Sequence, residues 1–285
     1  MSRRPFLPPW VASPPGLNLG SRLMGDLAHA KLPPSVLRTL IRAYARHYGL
    51  DLDEMAAPIE SYQTFAEFFT RRLRPGARPL DRSPGVVTSP VDGKVQSMGR
   101  LEDGRFDQVK GHGYSVETFL GGASEALAYR EGWYAVLYLS PADYHRIHSP
   151  LDGEITRWTH IPGTLCSVQP FFCNLVAGLL VSNERVLSHM DTSLGAVVVG
   201  MVGACGVGRI RLAYDGVETN VEWGARRQDE TMDPPVSIRK GDEIGLFDLG
   251  STVVLIMNNN DLRPVPGLEP GVPVRCGARL FERSE

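Results

Sequence analysis

This sequence of 285 residues has little cysteine, no long apolar run and no recognisable targeting segment. Its four cysteines form no C-x-x-C pair and no zinc-like spacing, which argues against a disulfide framework or zinc site and favours a reducing compartment. The start, MSRRPFLPPW, is interrupted by prolines before an apolar core develops, so no secretory signal is expected. The longest uncharged stretch, 158–183, contains prolines, glycines and polar amides, so it is not expected to cross a bilayer.

Glycine and proline are abundant by contrast, with 30 and 22 residues. Such a content favours turns and short strands over a helix bundle. Past the turn-rich RPGARPLD segment, short β-branched runs such as 133–139 and 252–257 alternate with turn signals. We therefore predict an α+β fold, with a mainly antiparallel β body at 83–285 and a helical segment at 1–82.

The N-terminal segment carries amphipathic helical patterns. Apolar residues recur at helical spacing over 35–49, and Arg38, Arg42 and Arg46 form a cationic stripe on the opposite side. A second helix, rich in phenylalanine, is predicted at 62–73. Helices of this kind either pack onto the body of the protein or lie in a membrane interface.

Charge is distributed unevenly along the chain, although the net charge is only -2. Residues 1–82 hold 12 Lys and Arg against 7 Asp and Glu, whereas residues 83–285 hold 18 against 25. A basic N-terminal segment ahead of a mildly acidic body suits contact with lipid headgroups or nucleic acid. A solvated helical surface has the same pattern, so both interpretations stay open.

Three short segments place reactive side chains beside turn-forming residues. The first, SPVDGKV, holds Asp92 on an Asp-Gly turn, which is also a common hairpin signal. The second, LSPADYHRIHSP, holds His145 and His148, two groups that titrate near neutral pH. The third, LGST, sets Ser251 between a glycine and an apolar run, where a nucleophile would be rigidly held.

Together these segments suggest a nucleophilic triad in the chain order Asp92, His148, Ser251. The G-x-S-x-G elbow of ordinary serine hydrolases is missing, so a conventional esterase is not expected. One alternative is a metal-dependent hydrolase with Asp92, His145 and His148 as ligands. Another is a non-enzymatic lipid-surface binding module that retains these segments only as turns.

The series of segments resembles one family. The segments SPVDGKV, VKGHGYS, LSPADYHRIHSP, IPGTLCSV, NERV, VGACGVG and KGDEIGLFDLGST follow one another between residues 89 and 252, and the resemblance extends over about residues 62–280. In this order they resemble the bacterial phosphatidylserine decarboxylase precursors, which are pyruvoyl-dependent enzymes. Seven ordered segments are far more specific than any one of them.

This resemblance implies that the precursor cuts its own backbone. Ser251 would attack the carbonyl group of Gly250, His148 would take the hydroxyl proton, and Asp92 would orient that imidazole. An N-to-O acyl shift and elimination would then split the chain and convert Ser251 into a covalent pyruvoyl group. Neither an external cofactor nor a metal would be required.

The mature enzyme would consist of a β chain, 1–250, and an α chain, 251–285. By the same resemblance, phosphatidylserine would form a Schiff base with the pyruvoyl group, which would stabilise the carbanion left by carbon dioxide. His145 would reprotonate that carbanion or orient the substrate carboxylate. Hydrolysis would release phosphatidylethanolamine.

A diacyl substrate implies docking at a membrane surface. The resemblance makes helices at 17–30, 35–49 and 62–73 membrane-facing, and it implies a peripheral location on the cell membrane, at the cytoplasmic face. The expected partners are phosphatidylserine, the two chains of one precursor and a second copy in a homodimer. No nucleic acid is expected.

Overall fold

The computed structural model describes residues 17–109, 112–173, 176–206, 209–220, 225–248 and 251–284. Antiparallel strands dominate, and the two longest helices lie near the N-terminus, so the predicted α+β class is confirmed. The helices are Leu17–His29 (α1), Pro34–Tyr48 (α2), Phe65–Phe69 (α3), Val116–Leu120 (α4), Ala123–Ala126 (α5), Pro170–Cys173 (α6) and Leu179–Ser182 (α7), with 3-10 turns at Leu52–Glu54, Ile59–Ser61 and Leu127–Tyr129. The strands are Val86–Thr88 (β1), Gly93–Leu101 (β2), Arg105–Val109 (β3), His112–Ser115 (β4), Gly132–Leu139 (β5), Arg146–His148 (β6), Gly153–Ile161 (β7), Arg185–Thr192 (β8), Gly195–Val202 (β9), Ile210–Leu212 (β10), Gln228–Ile238 (β11), Glu243–Phe247 (β12), Ser251–Met257 (β13), Leu262–Pro264 (β14), Pro273–Val274 (β15) and Arg279–Arg283 (β16).

The largest element is an eight-stranded antiparallel sheet with the order β11-β7-β8-β9-β13-β5-β2-β15. Its inner strand β13 is hydrogen-bonded to β9 on one side and to β5 on the other. All seven residues of β13 are buried. A strand covered on both faces needs apolar residues at consecutive positions, which accounts for the uninterrupted VVLIM run.

This sheet separates two apolar cores. Successive side chains of a strand point to opposite faces, so Val253 and Leu255 of β13 enter one core and Val254 and Ile256 enter the other. The first core also receives residues from two small sheets, β1-β16-β14 and β10-β12-β6. The second core is covered by α4 and α7. The small sheets and the end of β13 together position the candidate site.

Two of the three predicted N-terminal helices agree with the structure, and the third is shorter than predicted. The structure has α1 where 17–30 was expected and α2 where 35–49 was expected. The prediction of a helix over 62–73 is wrong in length, because α3 contains only five residues. It begins at the Thr64 cap, and past its end the chain pairs with an earlier segment through a bridge between Leu73 and Met55. Backbone hydrogen bonds with residues 54–56 keep residues 71–74 out of helical conformation.

Residues of this segment form a small core of their own. Leu37 and Ile41 of α2 pack with Met55, Ile59 and Phe68. Whether 1–82 and 83–285 are separate domains stays a prediction. Among the described residues, no helix combines the length and hydropathy needed to cross a bilayer.

Candidate active site

Three strands end together at one end of the large sheet. Lys94, Tyr138 and Thr252 lie in register across β2, β5 and β13. Asp92 comes two residues before Lys94, and Ser251 comes one residue before Thr252. Adjacent strands lie about 4.8 Å apart, so the backbones at Asp92 and Ser251 are separated by roughly 10 Å. The fold therefore brings two of the predicted catalytic residues to one sheet end.

The turn that carries Asp92 depends on glycine. Gly93 has a φ of 157°, and a Cβ atom there would lie 2.3 Å from the carbonyl oxygen of Tyr138. Such a distance is impossible for a side chain, since the backbone oxygen belongs to the neighbouring strand. The Asp-Gly pair in SPVDGKV thus reflects the close approach of β2 and β5 just before Leu139.

Ser251 is the first residue of β13 and is fully buried. Its Oγ atom has no hydrogen-bond partner among the described residues, and neither has the Oγ1 atom of Thr252. A buried hydroxyl without a partner costs free energy, which makes it a candidate for a functional group. Gly250, the other half of the predicted cleavage site, lies outside the described residues.

A cavity of about 450 Å³ contains Ser251 in its lining. One side is formed by the N-terminal helices and the other by the ends of strands and the loops that follow them. Most of the lining is apolar, with aromatic rings from α2 and α3. The lining residues are Met24, Tyr44, Tyr48, Phe65, Phe69, Tyr138, Leu139, Pro141, Ser167, Val168, Gln169, Ala204, Cys205, Gly206 and Ser251.

His145 lies next to this cavity in a fully buried position. Its ring packs on Phe69, a cavity residue, with 4.2 Å between ring centroids. The Nδ1 atom is 2.8 Å from the carbonyl oxygen of Asp143 and donates to it, whereas Nε2 has no partner among the described residues. Burial lowers the pKa of His145 to about 3. The ring is therefore neutral near pH 7, with the lone pair of Nε2 available.

His148 is held differently. Its Nδ1 is 2.8 Å from the carbonyl oxygen of Gly241, and its Nε2 is 3.1 Å from the hydroxyl group of Tyr144, whose ring stacks on the imidazole. Burial lowers the pKa of His148, and the carboxylates of Glu243 and Asp92 act in the opposite direction. His148 lines a second, smaller cavity of about 180 Å³ that does not include Ser251.

Asp92 is paired with an arginine. Both oxygens of its carboxylate accept from Nε of Arg78 at 2.8 Å, and Oδ1 also accepts from the backbone N–H of Cys276 at 2.8 Å. Arg78 extends to Glu54 as well, at 2.9 Å. Because Asp92 is only 5% exposed, this pairing compensates for the burial of its charge.

Asp92, His148 and Ser251 therefore do not form a hydrogen-bonded triad in this structure. Among the described residues, no hydrogen bond links Asp92 to His148 or either of them to Ser251. Nor do Asp92, His145 and His148 form a group that could hold a metal ion, for no such cluster exists in the described part of the chain.

Sequence patterns missed the partners that hold these groups. Arg78 follows a turn that carries no catalytic signal, and Tyr144 lies inside the histidine segment as one of several polar residues. Phe69 belongs to the phenylalanine-rich pattern, which was interpreted as a membrane-facing or packing helix. That pattern could have indicated the aromatic lining of a cavity, but the sequence does not show what it faces.

Comparison with known proteins supplies independent findings. The sequence profile of a family described as "Phosphatidylserine decarboxylase" matches residues 65–282. A protein of Anaeromyxobacter sp. (strain K) is 44% identical over 265 residues, which cover 92% of this chain and 93% of that protein. A second protein, of Acidovorax ebreus (strain TPSY), is 44% identical over 246 residues, which cover 86% of this chain and 86% of that protein. A third protein, of Brevibacillus brevis (strain 47 / JCM 6285 / NBRC 100599), is 37% identical over 265 residues, which cover 92% of this chain and 93% of that protein. All three are named "Phosphatidylserine decarboxylase proenzyme".

Proposed function

The chain belongs to the phosphatidylserine decarboxylase family, and we propose on this premise that it cuts itself between Gly250 and Ser251 and then decarboxylates phosphatidylserine to phosphatidylethanolamine. The observation that carries the proposal is the hydroxyl group of Ser251. It is buried, it has no partner among the described residues, and it lines an apolar cavity. A group with these properties suits a nucleophile that reacts once with its own chain.

The proposed self-cleavage converts Ser251 into a pyruvoyl group in three steps. Oγ of Ser251 attacks the carbonyl carbon of Gly250, and the peptide C–N bond breaks to leave an ester and a free amine. Elimination removes the Cα proton of residue 251 and breaks the Cβ–Oγ bond, which releases the carboxylate of Gly250 and leaves dehydroalanine. Addition of water and loss of ammonia then give the pyruvoyl group. The fragments are a β chain, 1–250, and an α chain, 251–285.

The first step needs a base for the hydroxyl proton. We assign this role to His148, with Asp92 as a nearby negative charge that favours the protonated imidazole. Both nitrogen atoms of His148 have partners, so its contact with Tyr144 must open before Nε2 can accept the proton. His145 is the competing candidate, because its Nε2 has no hydrogen-bond partner among the described residues. The two assignments predict different results: loss of cleavage in His148→Ala if His148 is the base, and loss of cleavage in His145→Ala if His145 is the base.

In the second reaction we assign proton transfer to His145. The pyruvoyl group supplies an electron-accepting carbonyl for decarboxylation. His145 enters as a neutral base at Nε2, takes a proton from the substrate ammonium group and returns it to the carbon that lost carbon dioxide. Phe69 fixes the orientation of the ring by packing on it, and Asp143 fixes its tautomer by accepting from Nδ1.

Docking on a bilayer would deliver the lipid to the cavity. Large apolar side chains are exposed on α1, α2 and α6, and Met24 and Tyr48 among them also line the cavity. Clustered exposed apolar residues of this kind mark interaction surfaces. They are Leu19, Leu23, Met24, Leu27, Val36, Leu40, Tyr48, Phe171 and Phe172. Exposed Arg46 on α2 would favour an anionic leaflet.

Intact mass under denaturing conditions tests the self-cleavage. We expect two fragments divided before residue 251, with the smaller one blocked at its N-terminus and reactive towards carbonyl reagents. Ser251→Ala should leave one chain, and His148→Ala should slow cleavage severely. His145→Ala should be cut at a near-normal rate and then show little decarboxylation.

Each outcome has a defined meaning. A wild-type protein that stays intact refutes the proposal and favours the lipid-surface binding module. Normal cleavage of His148→Ala together with loss of cleavage in His145→Ala would transfer the role of base to His145. Full turnover by cleaved His145→Ala removes that residue from the second reaction.

Vesicle sedimentation tests the docking surface. Leu27 of α1 is 65% exposed, and Leu127, in a 3-10 turn beside Asp103 and Arg130, is 70% exposed and serves as the matched control. Leu27→Asp should reduce binding to vesicles of phosphatidylserine and phosphatidylcholine by about tenfold, since one buried leucine contributes about 1.5–3 kcal/mol. Leu127→Asp should bind as the wild type does. Equal losses in both variants would contradict this surface.

A further inference from the structure

Asp248 is the last described residue before the scissile bond, three positions ahead of Ser251. Its carboxylate is 2% exposed and accepts hydrogen bonds from two side chains. Nε2 of His29 donates to Oδ2 at 2.9 Å, and Arg211 donates to Oδ1. His29 is the last residue of α1, whereas Arg211 belongs to β10. One partner of this buried acid therefore comes from a helix more than 200 residues away in sequence.

The backbone around Asp248 is also fixed. Its N–H donates to the carbonyl oxygen of Arg209 at 3.0 Å, and the N–H of Phe247 donates to the carbonyl oxygen of His145 at 3.0 Å. On the other side of the scissile bond, Ser251 is paired with Leu139 in the large sheet. Only two residues join these fixed points, and three Cα steps span at most about 11 Å. Asp248 and Ser251 are therefore two fixed points on either side of the proposed scissile bond.

Helix α1 attaches to the body through polar contacts near this segment. Besides His29, Ser21 accepts from the N–H of Gly206 at 3.1 Å, and Asp26 pairs with Arg209 at 2.9 Å. The Asp26 side chain is 67% exposed, so its ion pair contributes little. The contact of His29 differs, because the carboxylate that it meets is almost fully buried and a buried carboxylate depends on its partners.

We propose that Asp248 and His29 are positioning residues for self-cleavage, which hold the chain in place ahead of the scissile bond. The inference rests on the proposed cleavage between Gly250 and Ser251. Neither residue touches the reacting atoms. Their contact makes processing depend on α1 being seated, so a precursor whose N-terminal helices have not folded onto the body is processed slowly.

The rate of precursor cleavage after a pulse of cell-free synthesis tests this role. His29→Ala removes one partner and leaves Asp248 paired with Arg211, so the fold should persist. Its cleavage should slow by about tenfold or more, the factor that corresponds to losing one charge-assisted hydrogen bond. His29→Gln can still donate to Oδ2 and should restore most of the rate. Asp248→Asn should slow cleavage at least as much.

Asp26→Asn is the matched control, since it removes the other ion pair of α1 and should be cut at the wild-type rate. Thermal unfolding of each precursor in a Ser251→Ala background separates positioning from loss of stability. The inference is overturned if His29→Ala and Asp248→Asn are cut at the wild-type rate. It is also overturned if Asp26→Asn and His29→Gln slow cleavage as much as His29→Ala does. If the wild-type chain is not cut at all, the self-cleavage reaction itself fails, and with it this role.

Discussion

At the scale of single residues, burial keeps three histidines neutral, and two of them, His145 and His148, belong to the candidate site. The pKa of His145 is lowered to about 3 and that of His189 to about 4, in both cases chiefly by desolvation, and burial also lowers the pKa of His148. Histidine in an unfolded chain has a pKa near 6.5. The folded protein thus binds fewer protons than the unfolded chain once the pH falls below that value.

This difference predicts a loss of stability on mild acidification. The unfolded state takes up protons first, so the free energy of unfolding is fully present above about pH 6.5 and decreases as the pH falls towards the lowered pKa values of His145 and His189. Each such histidine contributes a slope of about 1 kcal/mol per pH unit between pH 6.5 and 5. Urea unfolding of Ser251→Ala, a single chain, measures this slope. His189→Gln should reduce it, and a free energy unchanged across this range would contradict the prediction.

Sequence patterns single out individual residues more readily than the contacts that those residues make. Asp92, His148 and Ser251 stand out because reactive side chains beside turns are visible in a sequence. The family resemblance implied an imidazole oriented by Asp92. In the structure, Asp92 is hydrogen-bonded to Arg78, and His148 is hydrogen-bonded to Tyr144. Such partners follow from how distant segments pack, and no local pattern records that packing.

At the scale of elements, the strands were easier to predict than the short helices. The runs at 133–139 and 252–257 are β5 and β13, whose apolar residues are continuous because both faces are covered. The third helix ended early because residues after Thr70 pair with Met55, a tertiary contact that overrides helical periodicity. The helix patterns also left open whether exposed apolar faces meet protein or lipid.

The IPGT segment illustrates an element fixed by backbone contact. A Cβ atom on Gly163 would lie 2.3 Å from the carbonyl oxygen of Ser182 and 2.6 Å from the backbone nitrogen of Glu184. Backbone cannot move aside as a flexible side chain does, so Gly163→Ala should destabilise the protein by about 1–3 kcal/mol. Gly216→Ala is the control, because nothing lies within 4 Å of a Cβ atom there. Calorimetry of both variants checks the difference, and equal melting temperatures would show that the segment adjusts.

At the scale of the whole molecule, the proposed cleavage divides the sheet through its interior. The α chain, 251–285, would contribute β13, β14, β15 and β16. β13 stays hydrogen-bonded between β9 and β5, β15 pairs with β2, and β16 pairs with β1. Cutting one peptide bond at the end of β13 removes none of these contacts. The fragments are consequently held by the same core that stabilises the precursor.

We therefore expect the two chains to remain associated after cleavage. Gel filtration without denaturant should give one species that contains both fragments. In increasing urea, release of the α chain should coincide with loss of the β-sheet signal in circular dichroism, because β13 cannot leave without exposing apolar residues from both cores. The uncut Ser251→Ala precursor is the reference for the sheet signal. Release of the α chain at a urea concentration that leaves the sheet intact would contradict an interior place for β13.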